Sequence, residues 1–321
     1  MNILVTGGAG YIGGTVAATL LAKGHSVTVY DNLCHATRAM VPEGAEFVQG
    51  DVADRPRLET LLGSGFDGVL HFAALIEAGE SMAKPEVYFR NNSAATLSLL
   101  EAMRITGVRR LVFSSTAAVY GEPATTPIRE DAPLQPTNPY GESKLIVEKM
   151  LSWMYWVHGF PYASLRYFNV AGAASGRGEA HEPETHLIPL VLDVALGRRQ
   201  RIRIYGDDYP TVDGTCVRDY IHIEDLAEAH LLALEALEGG GQRIYNLGNG
   251  SGFTVLQVIE AARRVTGQPI PVEVVGRRPG DPAVLIASAE KIGRDLGWKP
   301  RHTSLDTIVA SAWEWHQKRY A

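Results

Sequence analysis

The sequence is poor in the features that define several classes of protein. Its 321 residues include only two cysteines, Cys34 and Cys216, which are too few and too far apart for a disulfide framework or a metal knuckle. Its apolar runs are all too short to cross a bilayer. Basic residues are not in excess, because 30 Lys and Arg against 36 Asp and Glu give a formal net charge of −6. We therefore expect no metal, no membrane partner and no nucleic-acid partner.

The remaining composition is that of an ordinary globular protein. Apolar residues make up 45% and charged residues 21% of the chain, and the length suggests about two domains. Residues 1–5 form an apolar run that predicts a strand and not a secretion signal. With two cysteines that we expect to be reduced, this indicates a cytoplasmic protein.

Short apolar strands alternate with longer helices in the first half of the chain. The near-continuous apolar character of the strands predicts a parallel sheet covered by helices on both faces, which is the doubly wound α/β (Rossmann) fold. Such a sheet binds ligands at the carboxyl ends of its strands. Strands are predicted at residues 3–6, 26–30, 46–48, 68–72, 110–114 and 163–168, and helices at 11–23, 55–62, 85–105 with a break near Asn91 and Asn92, and 139–157.

The composition of the sequence changes near residue 171. Residues 171–184 are rich in Gly, Ala and charge, and we interpret them as a loop that leads into a second region. We predict a first domain over residues 1–176 and a smaller α/β domain over residues 177–321, with some segments returning to the first domain. The second region is predicted to contain helices at 187–196, 224–237, 255–266 and 304–317, and strands at 202–205 and 243–247.

A glycine-rich loop follows the first strand and opens a helix. Gly7, Gly10 and Gly13 would let backbone N–H groups approach a pyrophosphate at the positive end of that helix. Asp31 ends the second strand, where a carboxylate accepts hydrogen bonds from ribose hydroxyls and repels a 2′-phosphate, so NAD is favoured over NADP. Asp51 follows the third strand and is placed to bracket the adenine. The alternatives are an ordinary glycine-rich turn and turn-capping roles for both aspartates.

A tyrosine and a lysine four residues apart, Tyr140 and Lys144, share one face of the predicted helix 139–157. An ammonium beside a phenol favours the phenolate, so we expect a lowered pKa for Tyr140 and a role in acid/base catalysis. The spacing alone occurs by chance in many proteins. Thr116, at the end of the fifth strand, adds a hydroxyl to the pair. Ala117 and Ala118 follow it and cannot transfer protons, which argues against elimination of water.

The glycine loop, the hydroxyl and the Tyr-x-x-x-Lys motif, in this order, resemble the extended short-chain dehydrogenase/reductase superfamily. In that superfamily the Tyr takes a proton from the substrate hydroxyl, the Lys lowers the Tyr pKa and holds the nicotinamide ribose, and the Ser/Thr hydrogen-bonds the reacting oxygen. Longer matches resemble the UDP-glucose 4-epimerases within it, and the most specific is the run 207–222. The others lie at residues 5–13, 31–33, 71–74, 79–81, 113–121, 139–144 and 166–169.

This resemblance implies a UDP-glucose/UDP-galactose 4-epimerase that inverts C4 through transient hydride transfer to bound NAD and a 4-keto intermediate. It also implies a homodimer with an NAD-binding domain over 1–176 and a UDP-sugar-binding domain over 177–321. The implied catalytic residues are Tyr140, Lys144 and Thr116. The implied NAD-binding residues are Gly7, Gly10, Tyr11, Ile12, Gly13, Asp31, Asn32, Asp51, Val52, Phe72, Ala73, Asn91, Tyr140, Lys144 and Phe168. The implied UDP-sugar-binding residues are Thr116, Tyr140, Asn169, His186, Leu187, Tyr205, Arg218, Arg278, Asp281 and Leu285.

Within the implied substrate site, Tyr205 would stack on the uracil and Asp281 would lie near the uridine ribose. Arg218 and Arg278 would grip the diphosphate, because guanidinium forks match phosphate oxygens. His181 and His186 lie near the site without metal-ligand spacing, and we interpret them as structural or substrate-contacting.

Two departures from the epimerase pattern bear on cofactor and substrate. Ile76 stands where some relatives have a Lys near the cofactor, which would weaken cofactor retention. Leu285 stands where members of narrow specificity have a Tyr, which favours acceptance of N-acetyl sugars. The alternative functions are epimerisation of UDP-N-acetylhexosamines or UDP-uronic acids, decarboxylation, and a catalytically silent NAD-sensing homologue.

Overall fold

The protein is described by a computed structural model that covers residues 1–278 and 281–321. None of the helices in these ranges is both long and apolar enough to cross a membrane. The strands are β1 Asn2–Thr6, β2 Ser26–Asp31, β3 Glu46–Gln49, β4 Gly68–His71, β5 Leu111–Thr116, β6 Tyr162–Tyr167, β7 Asn169–Ala171, β8 Ala173–Ala174, β9 Arg177–Gly178, β10 Ile202–Tyr205, β11 Val217–Arg218, β12 Tyr220–His222, β13 Gln242–Leu247, β14 Phe253–Thr254, β15 Val272–Val275 and β16 Val284–Leu285. The α-helices are α1 Tyr11–Ala22, α2 Arg55–Leu62, α3 Ala78–Ala83, α4 Pro85–Tyr88, α5 Ala95–Thr106, α6 Pro139–His158, α7 Leu187–Ala195, α8 Ile223–Ala236, α9 Val255–Thr266, α10 Glu290–Leu296 and α11 Leu305–Arg319.

Seven parallel strands form the central sheet in the order β13-β6-β5-β4-β1-β2-β3. The chain leaves β1 toward β2 and β3, and then crosses to β4 on the other side of β1, so the winding direction reverses between β1 and β4. Helices α1 and α8 pack on one face, while α2, α5 and α6 pack on the other. The predicted doubly wound α/β fold is therefore confirmed, with its ligand-binding edge at the carboxyl ends of the strands.

The C-terminal half contributes both to this sheet and to a separate layer. Helices α7, α9 and α11 share an apolar cluster above the two-stranded pair β10-β15. By contrast, β13 adds to the central sheet beside β6, and α8 packs against α1. Both elements were placed in the second region from the sequence, because alternation of strands and helices does not reveal which sheet a strand joins. The predicted domain boundary at residue 176 stays a prediction. Helix α8 and strand β13 lie beyond this boundary in sequence but pack with the first domain.

The predicted long helix over residues 85–105 is interrupted where the sequence indicated. A π-helical turn, Phe89–Ala94, separates α4 from α5. The side chain of Asn92, inside this turn, accepts a hydrogen bond from Leu75 N and donates to Leu75 O and to Ser143 Oγ on α6. The widened turn thus brings an amide side chain between the loop after β4 and helix α6, in keeping with the frequent occurrence of such turns near functional sites.

A buried ion pair joins α6 to the central sheet. Arg166 on β6 and Glu148 on α6 are 2% and 4% exposed, and Arg166 Nη2 lies 2.5 Å from Glu148 Oε2. Ser115 on β5 donates to Glu148 Oε1 at 2.5 Å, and Arg166 Nη1 donates to the hydroxyl of Tyr120 at 2.8 Å. A buried charge that loses its partner is strongly destabilising, so this network fixes the helix to the two strands.

Replacing Arg166 by Met leaves the Glu148 carboxylate buried without its cation, and we expect the free energy of unfolding to fall by about 3–5 kcal/mol. Urea denaturation measures this change. Arg55 supplies the matched control, because its ion pairs with Glu59 and Glu101 are partly exposed to solvent, and Arg55→Met is expected to change the free energy of unfolding far less. Equal losses in the two variants would contradict the structural role of Arg166.

Candidate active site

The glycine loop between β1 and α1 is packed too closely for any side chain at two positions. A Cβ atom at Gly13 would lie 2.4 Å from Gly7 O, and one at Gly7 would lie 2.5 Å from Ala73 N. Gly7 also has a left-handed backbone, with φ +72°. The absence of side chains there lets α1 begin directly against the ends of β1 and β4, with its N-terminus facing the adjoining cavity.

Asp31 and Asp51 cap turns and also line a cavity. The Asp31 carboxylate accepts hydrogen bonds from Ala9 N at 3.1 Å and from Leu33 N at 2.8 Å. The Asp51 carboxylate accepts one from Ala53 N at 2.8 Å and one from Asn32 Nδ2 at 3.0 Å. These bonds are turn-capping contacts, and each carboxylate also lines the cavity beside the glycine loop, where its remaining lone pairs can accept further donors.

This first cavity has a volume of about 760 Å³ and runs past the carboxyl ends of β1, β2, β4 and β5. Every residue that the sequence implied for NAD binding lines it, from the glycine loop and Asp31 to Asn91, Phe168 and the Tyr140–Lys144 pair. The glycine-rich loop leaves room for a pyrophosphate and the carboxylate of Asp31 fits a ribose, while the reactive side chains line the same cavity. These residues therefore fit a bound dinucleotide.

Lys144 is fixed by the sheet and not by the phenol of Tyr140. Its Nζ donates to the carbonyl of Ser114 at 2.9 Å and lies 4.9 Å from the ring centroid of Phe113. The side chain is buried, and burial lowers the pKa of Lys144 to about 7. A cation that loses its hydration shell in this way is easily neutralised, which makes its charge sensitive to what occupies the cavity.

The predicted lowering of the Tyr140 pKa by Lys144 is wrong. Burial raises the pKa of Tyr140, although a hydrogen bond with Thr116 lowers it in part. The nearby carboxylate of Glu77 adds to the increase. The reason is that desolvation disfavours the phenolate, and Lys144 points toward the Ser114 carbonyl. Burial thus favours the neutral phenol of Tyr140 over the phenolate.

A second cavity, of about 970 Å³, lies under α7, β10 and β11. It shares part of its lining with the first cavity, at Tyr11, Asn169, Val170, Glu179, Thr185 and His186. The residues implied for UDP-sugar binding that line it are Asn169, His186, Leu187, Tyr205, Arg218, Arg278 and Asp281. Thr116 and Tyr140 line the first cavity. The two cavities together therefore bring most of the implied residues into one continuous region.

Leu285 does not line either cavity in the described part of the chain. It lies on β16 and packs with Phe168 and Leu145 in a small apolar cluster. In this structure its side chain acts as a packing residue behind Phe168, and the proposed effect of Leu285 on substrate size stays a prediction.

The arginines of the second cavity are already engaged within the protein. Arg218 pairs with Asp281 and donates to Val217 O at 2.7 Å and Pro282 O at 2.9 Å. The Arg278 guanidinium stacks 3.8 Å from the ring centroid of Tyr205, and its hydrogen bond lowers the pKa of that phenol. Both guanidinium groups line the cavity, so an anionic ligand would find cations there whose present partners are a carboxylate, carbonyls and an aromatic face.

His186 carries a positive charge where the two cavities meet. Burial lowers the pKa of this imidazole, but the hydrogen bond with Glu184 at 2.8 Å and the charge of Glu179 outweigh that effect and raise the pKa to about 9. His186 therefore stays protonated at neutral pH. This adds a cation to the shared wall, although its charge is balanced by the two glutamates.

Comparison with known proteins agrees with this geometry. Residues 3–248 match the model of the "NAD dependent epimerase/dehydratase family". The chain belongs to this family. A UDP-glucose 4-epimerase of Corynebacterium glutamicum is 56% identical over 313 residues, which is 98% of this chain and 95% of that protein. The resemblance to UDP-glucose 4-epimerases that the motifs indicated is therefore confirmed.

Solved structures of epimerases are similar over the whole chain. A UDP-glucose 4-epimerase from Stenotrophomonas maltophila with bound NAD and formylated UDP-arabinopyranose has a TM-score of 0.96 and 42% identity, covering 100% of both chains. One from Bifidobacterium longum in complex with NAD⁺ and UDP has a TM-score of 0.95 and 40% identity, covering 100% of this chain and 99% of that one.

Tyr167 and Glu77 are among the residues of the first cavity that were not predicted from the sequence. Tyr167, the last residue of β6, lines the first cavity, and its hydroxyl forms a hydrogen bond with Ser114 Oγ. Tyr167 pairs in register with Thr116 on β5, so the two residues lie at the ends of neighbouring parallel strands. Its position at the end of a predicted strand could have identified Tyr167 from the sequence. Glu77, in the loop after β4, also lines the cavity, and nothing local in the sequence marks it.

The glycine loop allows a test that separates folding from cofactor binding. A Cβ at Gly10 would meet only Gly7 O, at 3.4 Å, an ordinary contact, whereas one at Gly13 would overlap that atom. We expect Gly10→Ala to keep its thermal unfolding midpoint without ligand but to bind NAD more weakly, on the order of tenfold or more, because the new methyl group stands where the backbone must approach the pyrophosphate.

Gly13→Ala is expected to lower the unfolding midpoint of the ligand-free protein itself, because helix α1 must shift away from β1. Differential scanning fluorimetry without NAD and calorimetric titration with NAD give the two readouts. If Gly13→Ala unfolded at the same temperature as the parent protein, or Gly10→Ala bound NAD normally, the close packing described above would be incorrect.

Proposed function

We propose that this protein is a UDP-glucose 4-epimerase, an isomerase that uses NAD to interconvert UDP-glucose and UDP-galactose. The observation that supports this best is the position of Tyr140, Thr116 and Lys144. They line the cavity that fits a dinucleotide, which shares part of its wall with a second cavity lined by Arg218 and Arg278. A relative named for this activity is 56% identical over nearly the full chain.

Thr116 is prepared to donate a hydrogen bond. Its Oγ1 accepts the backbone N–H of Ala118 at 3.1 Å, so the hydroxyl proton remains available for another oxygen. Tyr140 is its hydrogen-bond neighbour, and the phenol is positioned by α6, where Tyr140 N donates to Ser81 Oγ at 3.1 Å. We infer that these two hydroxyl groups hold the reacting oxygen of the sugar, with Tyr140 receiving its proton and later returning it.

Tyr140 can accept a proton only as the phenolate, which its raised pKa disfavours, so a nearby positive charge is needed. NAD⁺, when bound, would supply the acceptor for the hydride that leaves C4 of the sugar. Lys144, held at the Ser114 carbonyl, adds its own charge in the protonated form. The residues after Thr116, Ala117 and Ala118, offer no second acid or base, so the chain is equipped for reversible oxidation and not for removal of water.

The second cavity would hold the nucleotide part of the substrate. We infer that Arg278 turns from the ring of Tyr205 toward the diphosphate and leaves that ring to the uracil. Arg218 would contribute its remaining donor capacity from a fixed position, because its carbonyl and Asp281 contacts hold it in place. Guanidinium groups suit this task because they present several donors in one plane. Asn169 and His186, which line both cavities, would contact the sugar between them.

The decisive measurement is turnover without added cofactor. The purified protein is expected to interconvert UDP-glucose and UDP-galactose with no NAD added, or only a trace, because hydride is taken from and returned to the same carbon. Accumulation of stoichiometric NADH would instead indicate a dehydrogenase and contradict the epimerase function. A panel with UDP-N-acetylhexosamines and UDP-uronic acids, analysed by product, identifies the alternative sugar specificities.

Tyr140→Phe removes the phenolic oxygen and keeps the ring, so we expect it to lose most of the activity, at least on the order of 10²-fold, while folding normally. Val212→Ala is the control. It truncates an exposed side chain that lines neither cavity and is expected to retain the parent activity. Full activity in Tyr140→Phe would refute the assigned role, and NAD binding without any turnover in the parent protein would favour a silent NAD-sensing homologue.

We further propose a cytoplasmic homodimer. Its interface would lie on α5 and α6, where large apolar side chains are exposed. Trp153, Trp156 and Val157 are 70%, 72% and 65% exposed on α6, and Leu97 and Ile105 are 43% and 50% exposed on α5. Trp153, Trp156 and Val157 are spaced three and four residues apart, so they share one helix face. Contiguous exposed apolar surface of this kind marks interaction sites, and a second copy of the same face is the partner it matches.

Trp153→Glu combined with Trp156→Glu is expected to convert the dimer to a monomer, because it places two like charges on each side of a two-fold interface. Sedimentation equilibrium measures the mass directly. Val212→Glu is the control, since Val212 is 86% exposed on another surface. A parent protein that sediments as a monomer, or a double variant that remains dimeric, would contradict the proposed interface.

A further inference from the structure

Residues 177–186, called the strap below, cross the region where the two cavities meet. The strap begins at β9 and ends at the start of α7. It lines the first cavity at Glu179, Ala180, His181, Pro183, Thr185 and His186, and the second at Glu179, Glu184, Thr185 and His186. Since a dinucleotide fits the first cavity, the strap would form part of the wall around it.

The N-terminal part of the strap is fixed to the body of the protein. Arg177 Nη1 donates to Met40 O, in the segment after β2. Trp315 Nε1 on α11 donates to Glu179 O at 3.0 Å, and Arg319 donates to Ala180 O at 3.2 Å. The backbone there is thus attached on two sides by groups that do not touch the reactive residues.

The C-terminal part of the strap is contacted from two sides. Arg319 Nη2 donates to Glu182 Oε1 at 2.9 Å in an exposed ion pair, and Glu77 contacts the strap from the opposite wall. Glu77 lies just before α3, at the carboxyl end of β4, and lines the first cavity. Its Oε1 is 3.2 Å from His181 Nε2, and Thr185 Oγ1 donates to its Oε2 at 3.0 Å. Glu77 is separated from these two partners by more than a hundred residues of sequence, so the contact closes a span across the cavity.

The pKa shifts of Glu77 and His181 indicate a charge-assisted hydrogen bond between them. The hydrogen bond from His181 lowers the pKa of Glu77, and the bond from Thr185 lowers it further against the effect of burial. The same hydrogen bond raises the pKa of His181. Both side chains are largely buried, with 23% and 13% exposure. Hydrogen bonds between ionised groups are about twice as strong as neutral ones, so Glu77 holds the strap more firmly than a neutral side chain would.

We propose that Glu77 holds the strap across the first cavity through His181 and Thr185, and that this contact slows the release of NAD. The proposal rests on the proposed function in one respect, namely that NAD occupies this cavity. Glu77 acts here as a positioning residue. Its neighbour Ile76 also lines the cavity and offers no cation to a pyrophosphate, so retention at this wall would come from the strap and not from a direct charge.

The rate of NAD release tests the proposal. Holoprotein loaded with isotopically labelled NAD is mixed with excess unlabelled NAD, and loss of label is followed over time. Glu77→Gln and His181→Gln are each expected to release NAD faster, on the order of tenfold, because each removes a charged partner of one buried hydrogen bond. The double variant is expected to match either single variant, because both remove the same interaction. The swapped variant Glu77→His with His181→Glu is expected to recover part of the loss.

Thr185→Val gives a second test that leaves the charges in place, and it is expected to accelerate release by a smaller factor. Hydrogen exchange should show faster exchange of strap amides in Glu77→Gln. Glu86→Gln is the control, since Glu86 is exposed on α4, and it should release NAD at the parent rate. Release at the parent rate in Glu77→Gln, or additive effects in the double variant, would overturn the proposal. A parent protein that binds no NAD would instead contradict the proposed function.

Discussion

The attachment of helix α6 to strands β5 and β6 determines where the reactive groups lie. Lys144 donates to the carbonyl of Ser114, and one helical turn further Glu148 accepts from Ser115 and pairs with Arg166. All of these groups are buried. A shift of the helix by one residue would leave buried donors, acceptors and charges without partners, and each such loss costs about 1–3 kcal/mol or more. The N-terminal turn that carries the phenol is therefore held in one place relative to the end of β5.

The burial that fixes this geometry also controls the chemistry. Desolvation disfavours the charged form of any group, so it raises the pKa of Tyr140 and lowers that of Lys144 to about 7. Burial therefore favours the neutral phenol of Tyr140 and weakens the preference of Lys144 for its charged form. The positions of Tyr140 and Lys144 and their charge states are thus separate properties. A ligand in the cavity can change the charge states without moving the side chains.

The sequence predicts the parts of this arrangement that depend on local patterns. Apolar runs locate the strands of the central sheet, and strand-end positions bring Thr116 and the glycine loop to one edge. The position of β13 beside β6 was not predictable, because its residues look like those of any short strand. The pairing of Arg218 with Asp281 and that of Glu77 with His181 leave no local signal either, since each joins residues far apart in sequence. The predicted effect of Lys144 on Tyr140 failed because spacing on a helix does not show how deeply a pair is buried.

The strap links the two cavities in space. Glu179, Thr185 and His186 line both cavities, so a ligand that shifts their arrangement in one cavity would change the shape of the other. Coupling of this kind is reciprocal, because the factor by which one ligand changes the affinity of the second equals the factor in the opposite direction. An enzyme that returns its hydride to the same carbon benefits from retaining the cofactor between turnovers while exchanging the sugar nucleotide. The charged contact of Glu77 lies on the wall of the first cavity, where the cofactor would be retained. On the wall of the second cavity, where the sugar nucleotide would exchange, Arg278 is stacked on an aromatic face.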